Sequence, residues 1–213
     1  MYLKRNKYDS HRKRLFALNI LALILFVGIL YNVRIDGFLI QIDTWVNQQI
    51  STLHTPTLTQ VIIFITNLNG VVGNILMGII VIIFLTYKKW YDACRFYLFS
   101  LLGSLILFAG LKQWVARMRP HSELIEVINY SFPSGHATLS MTTALLVYFI
   151  FSPKSTSMLS KNILLMVCIV WPLFIAFTRV YLNVHWMSDV LAGLALGLFW
   201  VTFVKLILYD KNT

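Results

Sequence analysis

Hydrophobic positions along this chain gather into long runs separated by short polar punctuation. Stretches at about 15–32, 70–87, 94–117, 134–152, 162–179 and 186–208 carry few or no charges. Their length is close to that of a helix crossing a hydrocarbon layer of ~30 Å. The pattern predicts six transmembrane helices. Between 33 and 69 the pattern changes. Leu39, Ile42, Val46, Ile50 and Leu53 recur at helical spacing, with Asp43, Asn47, Gln48 and Gln49 off that face. This predicts an amphipathic helix lying at the membrane interface, its acid and amides on the polar side. After Pro56 the apolar run 58–68 is too short to span. It reads as a second interfacial or re-entrant helix, and Asn67-Leu68-Asn69-Gly70 breaks the chain before span two. The expected fold is all-α: one polytopic membrane bundle over 1–213, with its core at about 94–208. No internal repeat is visible.

Composition supports this reading. The chain of 213 residues is 58% hydrophobic and 12% charged, with a mean hydropathy of +0.74. An ordinary soluble domain is far more charged. The net charge of +10 does not mark a nucleic-acid binder, because the basic residues sit beside apolar spans and form no soluble basic face. It reads instead as membrane topology. With the N-terminus inside, Lys4, Arg5, Lys7, Arg12, Lys13, Arg14, Lys88, Lys89, Arg95, Lys154, Lys161, Lys205 and Lys211 fall inside. Arg34, Lys112, Arg117, Arg119 and Arg179 fall outside, so 13 of the 18 cations obey the positive-inside rule. Both termini are therefore expected in the cytoplasm. The basic N-terminus followed by an apolar run imitates a secretory leader, but no small-x-small cleavage site follows it, and it reads as an uncleaved first span. Cys94 and Cys168 are isolated and read as small apolar fillers.

The cations that break the rule need another reason to be there. Three of them belong to short runs: Lys112-x6-Arg119-Pro120, Pro133-Ser134-Gly135-His136 and Arg179-x5-His185-x3-Asp189. The predicted topology carries all three runs to the outer surface. Ionisable groups beside apolar spans are functional candidates by default.

Lys112 and Arg119, two helical turns and ~10 Å apart, are expected on nearly one face of the third span. Arg117 is rotated away from them and is expected to snorkel toward the interface. Arginine grips phosphate bidentately, and lysine adds a point charge. Ser134, Gly135 and His136 open the fourth span, where free backbone N–H groups form an anion site. Gly135 permits close backbone approach, and Ser134 binds the anion, caps the helix, or does both. His185 and Asp189, four apart, are expected on one helix face, so that the acid fixes the imidazole tautomer and leaves the other nitrogen free. His136, His185 and Asp189 could hold a metal, but three neighbouring cations would repel it, and no metal or other cofactor is expected. The two histidines need different protonation states: His185 neutral to attack, His136 charged to protonate a leaving oxygen. Arrival of a phosphate dianion would favour the charged acid, which predicts a bell-shaped pH profile.

Together the three runs resemble the signature of the type 2 phosphatidic acid phosphatase superfamily, in order, spacing and side of the membrane. The match covers about 112–189, and the six-span layout extends it over most of the chain. Thr178 stands where the family usually has serine. The resemblance implies a phosphohistidine mechanism without metal. His185 would be the nucleophile, Asp189 its orienting acid and His136 the general acid. Lys112, Arg119, Ser134, Gly135 and Arg179 would bind the phosphate and the transition state. Water would then hydrolyse the phosphohistidine. The implied protein is a bacterial plasma-membrane enzyme resembling the phosphatidylglycerophosphatase B or undecaprenyl pyrophosphate phosphatase branch. Its partners would be the bilayer and a lipid phosphate or diphosphate, such as phosphatidylglycerol phosphate, undecaprenyl pyrophosphate or phosphatidic acid. Nearby, His121, Glu123, Tyr130 and Asn183 read as plain outer-loop residues.

There are two rivals, one that retains the fold and one that shares the phosphate-binding site. A lipid-binding or lipid-translocating protein would tolerate loss of His185, whereas a phosphatase would not. A vanadate-dependent haloperoxidase would oxidise halide, and six spans argue against it.

Overall fold

A computed structural model describes residues 2–209, with side chains at 10 and 12–208. Lys4, Arg5, Lys7 and Lys211 of the charge count lie outside the described side chains. The regular elements among the described residues are all helices: α1 (Tyr2–Arg34), α2 (Phe38–Ser51), α3 (Pro56–Leu68), α4 (Val71–Tyr87), α5 (Tyr91–Val115), α6 (Gly135–Phe151), α7 (Met158–Tyr181) and α8 (Met187–Val204). Five of these are long and apolar enough to cross a membrane: Arg12–Arg34 of α1, α5, α6 with the turn that follows it, α7, and α8 with its extension to Leu208. The expected second span is shorter. With 17 residues α4 is about 26 Å long. It reaches membrane length only together with α3, from which it is bent by 45° across the Asn69–Gly70 break. The break seen in the sequence is therefore a bend between two helices that only together reach the length and apolarity of a sixth span.

Local chemistry sets these ends. Thr55 caps α3, its side chain accepting from Leu58 N, and Pro56 occupies the first turn. Ser134 caps α6 by accepting from Ala137 N, and Ser157 caps α7 by accepting from Ser160 N. At the end of α5, Ala116 takes a left-handed conformation (φ 51°, ψ 36°), which stops the helix there.

Helix α8 forms the axis of the bundle and is the most buried of the spans. It packs against α1, α2, α5, α6 and α7. Lipid offers little hydrophobic drive for helix pairing, so small residues and polar contacts matter. Gly193 and Gly197, four apart, turn one bare strip of α8 toward α6. A Cβ there would come within 2.6 Å of the Ser134 carbonyl and 2.7 Å of the Thr138 carbonyl. Asn19 of α1 donates to Phe199 O (2.7 Å) and Thr202 Oγ1 (2.8 Å) of α8. Ser104 and Thr142 pair at 2.8 Å between α5 and α6.

Both helices expected between the first two spans form, but α2 is not oriented as its pattern suggests. Asp43, assigned to the polar side, is buried at 1% exposure, while Leu53 beyond the helix end is exposed. The reason is that α2 lies over the start of α8, where a basic group and unpaired N–H groups outcompete water for the carboxylate.

Substituting Gly197→Ala pushes a methyl into an unyielding backbone carbonyl. Overpacking of this kind costs ~1–3 kcal/mol, read as a lowered thermal midpoint in detergent. Gly28→Ala, where a Cβ meets nothing within 4 Å, leaves the midpoint in place.

Candidate functional site

The ends of α5, α6, α7 and α8 meet at one end of the bundle and bring the three sequence runs together. Lys112 lies in the last turn of α5 and Arg179 in the last turn of α7. His136 is the second residue of α6. Because α5 stops at Val115, Arg119 is not on its face, as the seven-residue spacing suggested, but in the loop 116–134. That loop folds back so that Lys112 Nζ donates to Tyr130 O (2.6 Å), as does Arg119 Nη2 (3.1 Å). The shared carbonyl, not a shared helix face, brings the two cations together. Tyr130 thus contributes its backbone, while His121 and Glu123 remain exposed loop residues. Asn183, at φ 51°, turns the chain after α7. Its side chain accepts from Asn47 Nδ2 (3.0 Å) and donates to Ser51 Oγ (2.8 Å), which pins α2 beside the site.

His185 also departs from the expected geometry. It precedes α8, which begins at Met187, so it shares no helix face with Asp189. The two meet through the turn at the helix start. Asp189 Oδ2 accepts from Trp186 N (2.9 Å) and lies 3.4 Å from His185 Nδ1. That contact is not yet an aligned hydrogen bond, a looseness common before substrate binds. On the other side of the ring, Arg119 Nη1 is 3.1 Å from His185 Nε2. Guanidinium can only donate, so Nε2 carries the lone pair and Nδ1 the proton, a tautomer assigned from its partners. The bare nitrogen therefore points into the cation cluster.

Arg117 overturns its assignment as a snorkelling bystander. Its Nη1 donates to Asp189 Oδ1 (2.7 Å) and Ser188 Oγ (2.7 Å), and its Nη2 to Asp43 Oδ2 (2.7 Å). The guanidinium also lies 5.5 Å from the Trp186 ring. Asp43 in turn accepts from Ser188 N at Oδ1 (2.8 Å) and from Ser188 Oγ at Oδ2 (2.5 Å). The first turn of a helix has four unpaired N–H groups, and Trp186, at the capping position, has no side-chain acceptor. Two carboxylates supply what is missing: Asp189 from within the turn and Asp43 from α2.

Burial and charge combine here. His185 is buried, and desolvation together with the positive charges of Arg119, Arg179 and Lys112 holds its basicity well below the ordinary histidine value. Burial also lowers Arg119, and Asp189 opposes that effect. Both nearby carboxylates are engaged by Arg117, so Lys112, Arg119 and Arg179 lean on neutral acceptors. Arg119 donates to Asn129 O (2.6 Å) and to Val184 O. Arg179 Nη1 donates to Thr66 Oγ1 (3.1 Å), and its buried Nε has no hydrogen-bond partner among the described residues. An unpaired buried donor beside two other cations is costly. The arrangement is suited to an incoming anion.

Ser134 acts at least as a helix cap, and its N–H donates to Asp189 O (3.0 Å). Gly135 leaves room for Phe108, which a Cβ would meet at 2.9 Å. Thr178 keeps the hydroxyl expected at its position. It donates to Ile175 O (2.7 Å) and lies 3.1 Å from the Thr66 hydroxyl. Sequence reasoning missed Thr66, Asn69 and Asp43. Asn69 Nδ2 donates to His136 O (3.1 Å) and so ties the α3–α4 bend to the start of α6. Among the described residues, no three His, Cys, Asp or Glu side chains gather as metal ligands.

Residues 93–213 match the model of the PAP2 superfamily. The phosphatidylglycerophosphatase B of Bacillus subtilis (strain 168) is 29% identical over 169 residues, covering 76% of this chain and 81% of that protein. The undecaprenyl-diphosphatase of Sulfolobus acidocaldarius is 36% identical over 77 residues, covering 36% of this chain and 32% of that protein. The crystal structure of a transmembrane PAP2-type phosphatidylglycerolphosphate phosphatase from Bacillus subtilis superposes with a TM-score of 0.74 at 27% identity, over 90% of this chain and 94% of that one.

Inorganic phosphate should protect the protein against heating in a saturable way. Arg179→Gln removes a charge-assisted contact worth ~1.5–3 kcal/mol, which corresponds to about 10- to 100-fold weaker protection. Lys161→Gln, just inside the start of α7 at the opposite end of that helix, leaves the phosphate dependence unchanged.

Proposed function

This chain belongs to the PAP2 superfamily, and on that premise we propose that it is a membrane lipid phosphatase working through a phosphohistidine. The observation that carries the reading is the bare Nε2 of His185 among three buried or half-buried cations, one with an unpaired N–H. A phosphoryl group bound by Lys112, Arg119 and Arg179 would place its phosphorus before Nε2. The lone pair attacks, the bond from phosphorus to the lipid oxygen breaks, and His136 gives that oxygen its proton. The imidazole becomes cationic as it is phosphorylated, and Asp189 lies against its Nδ1–H to balance the charge. A water then attacks the phosphohistidine, returning its proton to His136 and free imidazole to His185. Cations fixed before the reaction stabilise the charge on the equatorial oxygens without reorganising, usually the largest catalytic term.

A lipid leaving group is supported by the surroundings of His136. An apolar cavity of about 400 Å³ lies between α4, α6 and α7, lined by residues that include Met77, Ala144, Val147, Cys168 and Trp171. Asn69, bonded to the His136 carbonyl, lies on its wall. Hydrocarbon fits there while the head group occupies the polar end. Candidate substrates are phosphatidylglycerol phosphate, undecaprenyl pyrophosphate and phosphatidic acid.

The charge distribution favours a site at the outer leaflet with both termini in the cytoplasm. Lys88, Lys89, Arg95, Lys154, Lys161 and Lys205 all sit at helix ends or turns opposite the site.

Phosphate release from purified lipid phosphates tests the reading. His185→Ala abolishes release, and EDTA leaves the wild-type rate intact. Labelled phosphate remains on the wild-type protein after an alkaline quench, because a phosphoramidate survives base. Because burial, together with the charges of Arg119, Arg179 and Lys112, holds His185 neutral well below the ordinary histidine range, its protonation lowers kcat/KM only on the acid side of that range. Activity lost in EDTA, or labelled enzyme formed without His185, would contradict the mechanism.

A further inference from the structure

Asp43 lies on α2, outside the residues that match the superfamily, yet it is 99% buried and reaches the first turn of α8 from 145 positions away. A buried carboxylate is costly unless paired. Here it meets Arg117 Nη2 and both the N–H and the hydroxyl of Ser188, and the other end of the same guanidinium meets Asp189. The cluster Asp43–Arg117–Asp189 therefore contains two negative charges and one positive, a net charge of −1. Without Asp43, Arg117 would cancel Asp189, and the cluster would face His185 with no net charge.

That difference matters at one step. Attack by Nε2 turns the imidazole into a cation beside Lys112, Arg119 and Arg179, with His136 across the site. The Asp43–Arg117–Asp189 cluster is the negative group that touches His185. We propose that Asp43 is a positioning residue of phosphoryl transfer. It holds Arg117 away from full neutralisation of Asp189 and fixes the turn that presents His185. The inference rests on His185 being the nucleophile.

Asp43→Asn tests it in full-length protein, because the amide keeps the volume and an acceptor for Ser188 N–H. The expected result is a kcat lower by about 10- to 100-fold with slowed formation of the labelled phosphoenzyme. KM for a phosphate dianion is unchanged or lower, since the site has lost a negative charge. Ser188→Ala removes a contact of Asp43 but no charge, and keeps kcat within a few-fold of wild type. Asp43→Asn at wild-type kcat overturns the proposal. So does a loss that Ser188→Ala reproduces with a raised KM, which would mark a merely structural contact. If Asp43→Asn fails to fold, Asp43→Glu decides, because it retains the charge. A kcat within about tenfold of wild type supports the proposal, and a loss as large as that of Asp189→Asn overturns it. A wild-type protein that releases no phosphate and forms no labelled enzyme would fail the lipid phosphatase reading itself, a distinct outcome.

Discussion

One guanidinium, that of Arg117, holds the site together. It lies between two buried carboxylates that belong to different helices, Asp43 of α2 and Asp189 of α8. Removing it would leave two buried negative charges facing each other across Ser188, a situation a membrane-embedded protein cannot tolerate at ordinary stability. The same contact settles several things at once. It holds in place the two carboxylates that accept from the first N–H groups of α8, where the sequence supplies a tryptophan, it draws α2 over the bundle, and it orients Asp189 toward the His185 ring. Each of these depends on a charge pair whose members are far apart in sequence.

A second constraint follows from where the remaining charges go. Arg117 satisfies the acids, so among the described residues Lys112, Arg119 and Arg179 have neutral hydrogen-bond partners: carbonyls, one hydroxyl and the His185 ring nitrogen. Neutral oxygens satisfy hydrogen bonds but do not neutralise charge. The fold therefore holds a positive surplus that an anion can discharge. Burial, reinforced by charge, keeps the His185 ring neutral, so the same surplus that would attract a phosphoryl group helps to preserve the lone pair that would attack it. Binding and nucleophile readiness thus share an electrostatic contribution.

The architecture was largely legible from hydropathy, because a span must be apolar over its whole length and leaves a pattern that survives without an alignment. The charge bias placed the three runs at one surface, and they do meet there. What failed was local geometry. Helical spacing put Lys112 with Arg119 and His185 with Asp189 on shared helix faces, yet the helix ends between the first pair and begins within the second. A left-handed Ala116 and a capping turn at Trp186 decide those outcomes, and neither residue type announces such a role. Asp43 was misread for a related reason. A hydropathy wheel assigns an acid to water, and only tertiary structure reveals a partner that displaces the water. One signal was available: Arg117 was an outside cation with no assigned role, and an acid near the site with no partner could have been matched to it.

The division of the chain into matched and unmatched parts gives that misreading a wider sense. The residues with chemistry in the three runs all fall within 93–213. Of the helices before residue 93, α2, α3 and the α3–α4 bend reach the site through polar side chains: Asp43 from α2 to Arg117, Thr66 from α3 to Arg179, and Asn69 from the bend to the His136 carbonyl. The candidate reacting groups thus lie in the matched part of the chain, and side chains from outside it help to hold their positions. Such contacts need only a donor or acceptor at the right place, and a helix of many sequences can supply that. The chemistry is therefore written as short motifs, while its support is written in geometry, where motif spacing does not reach.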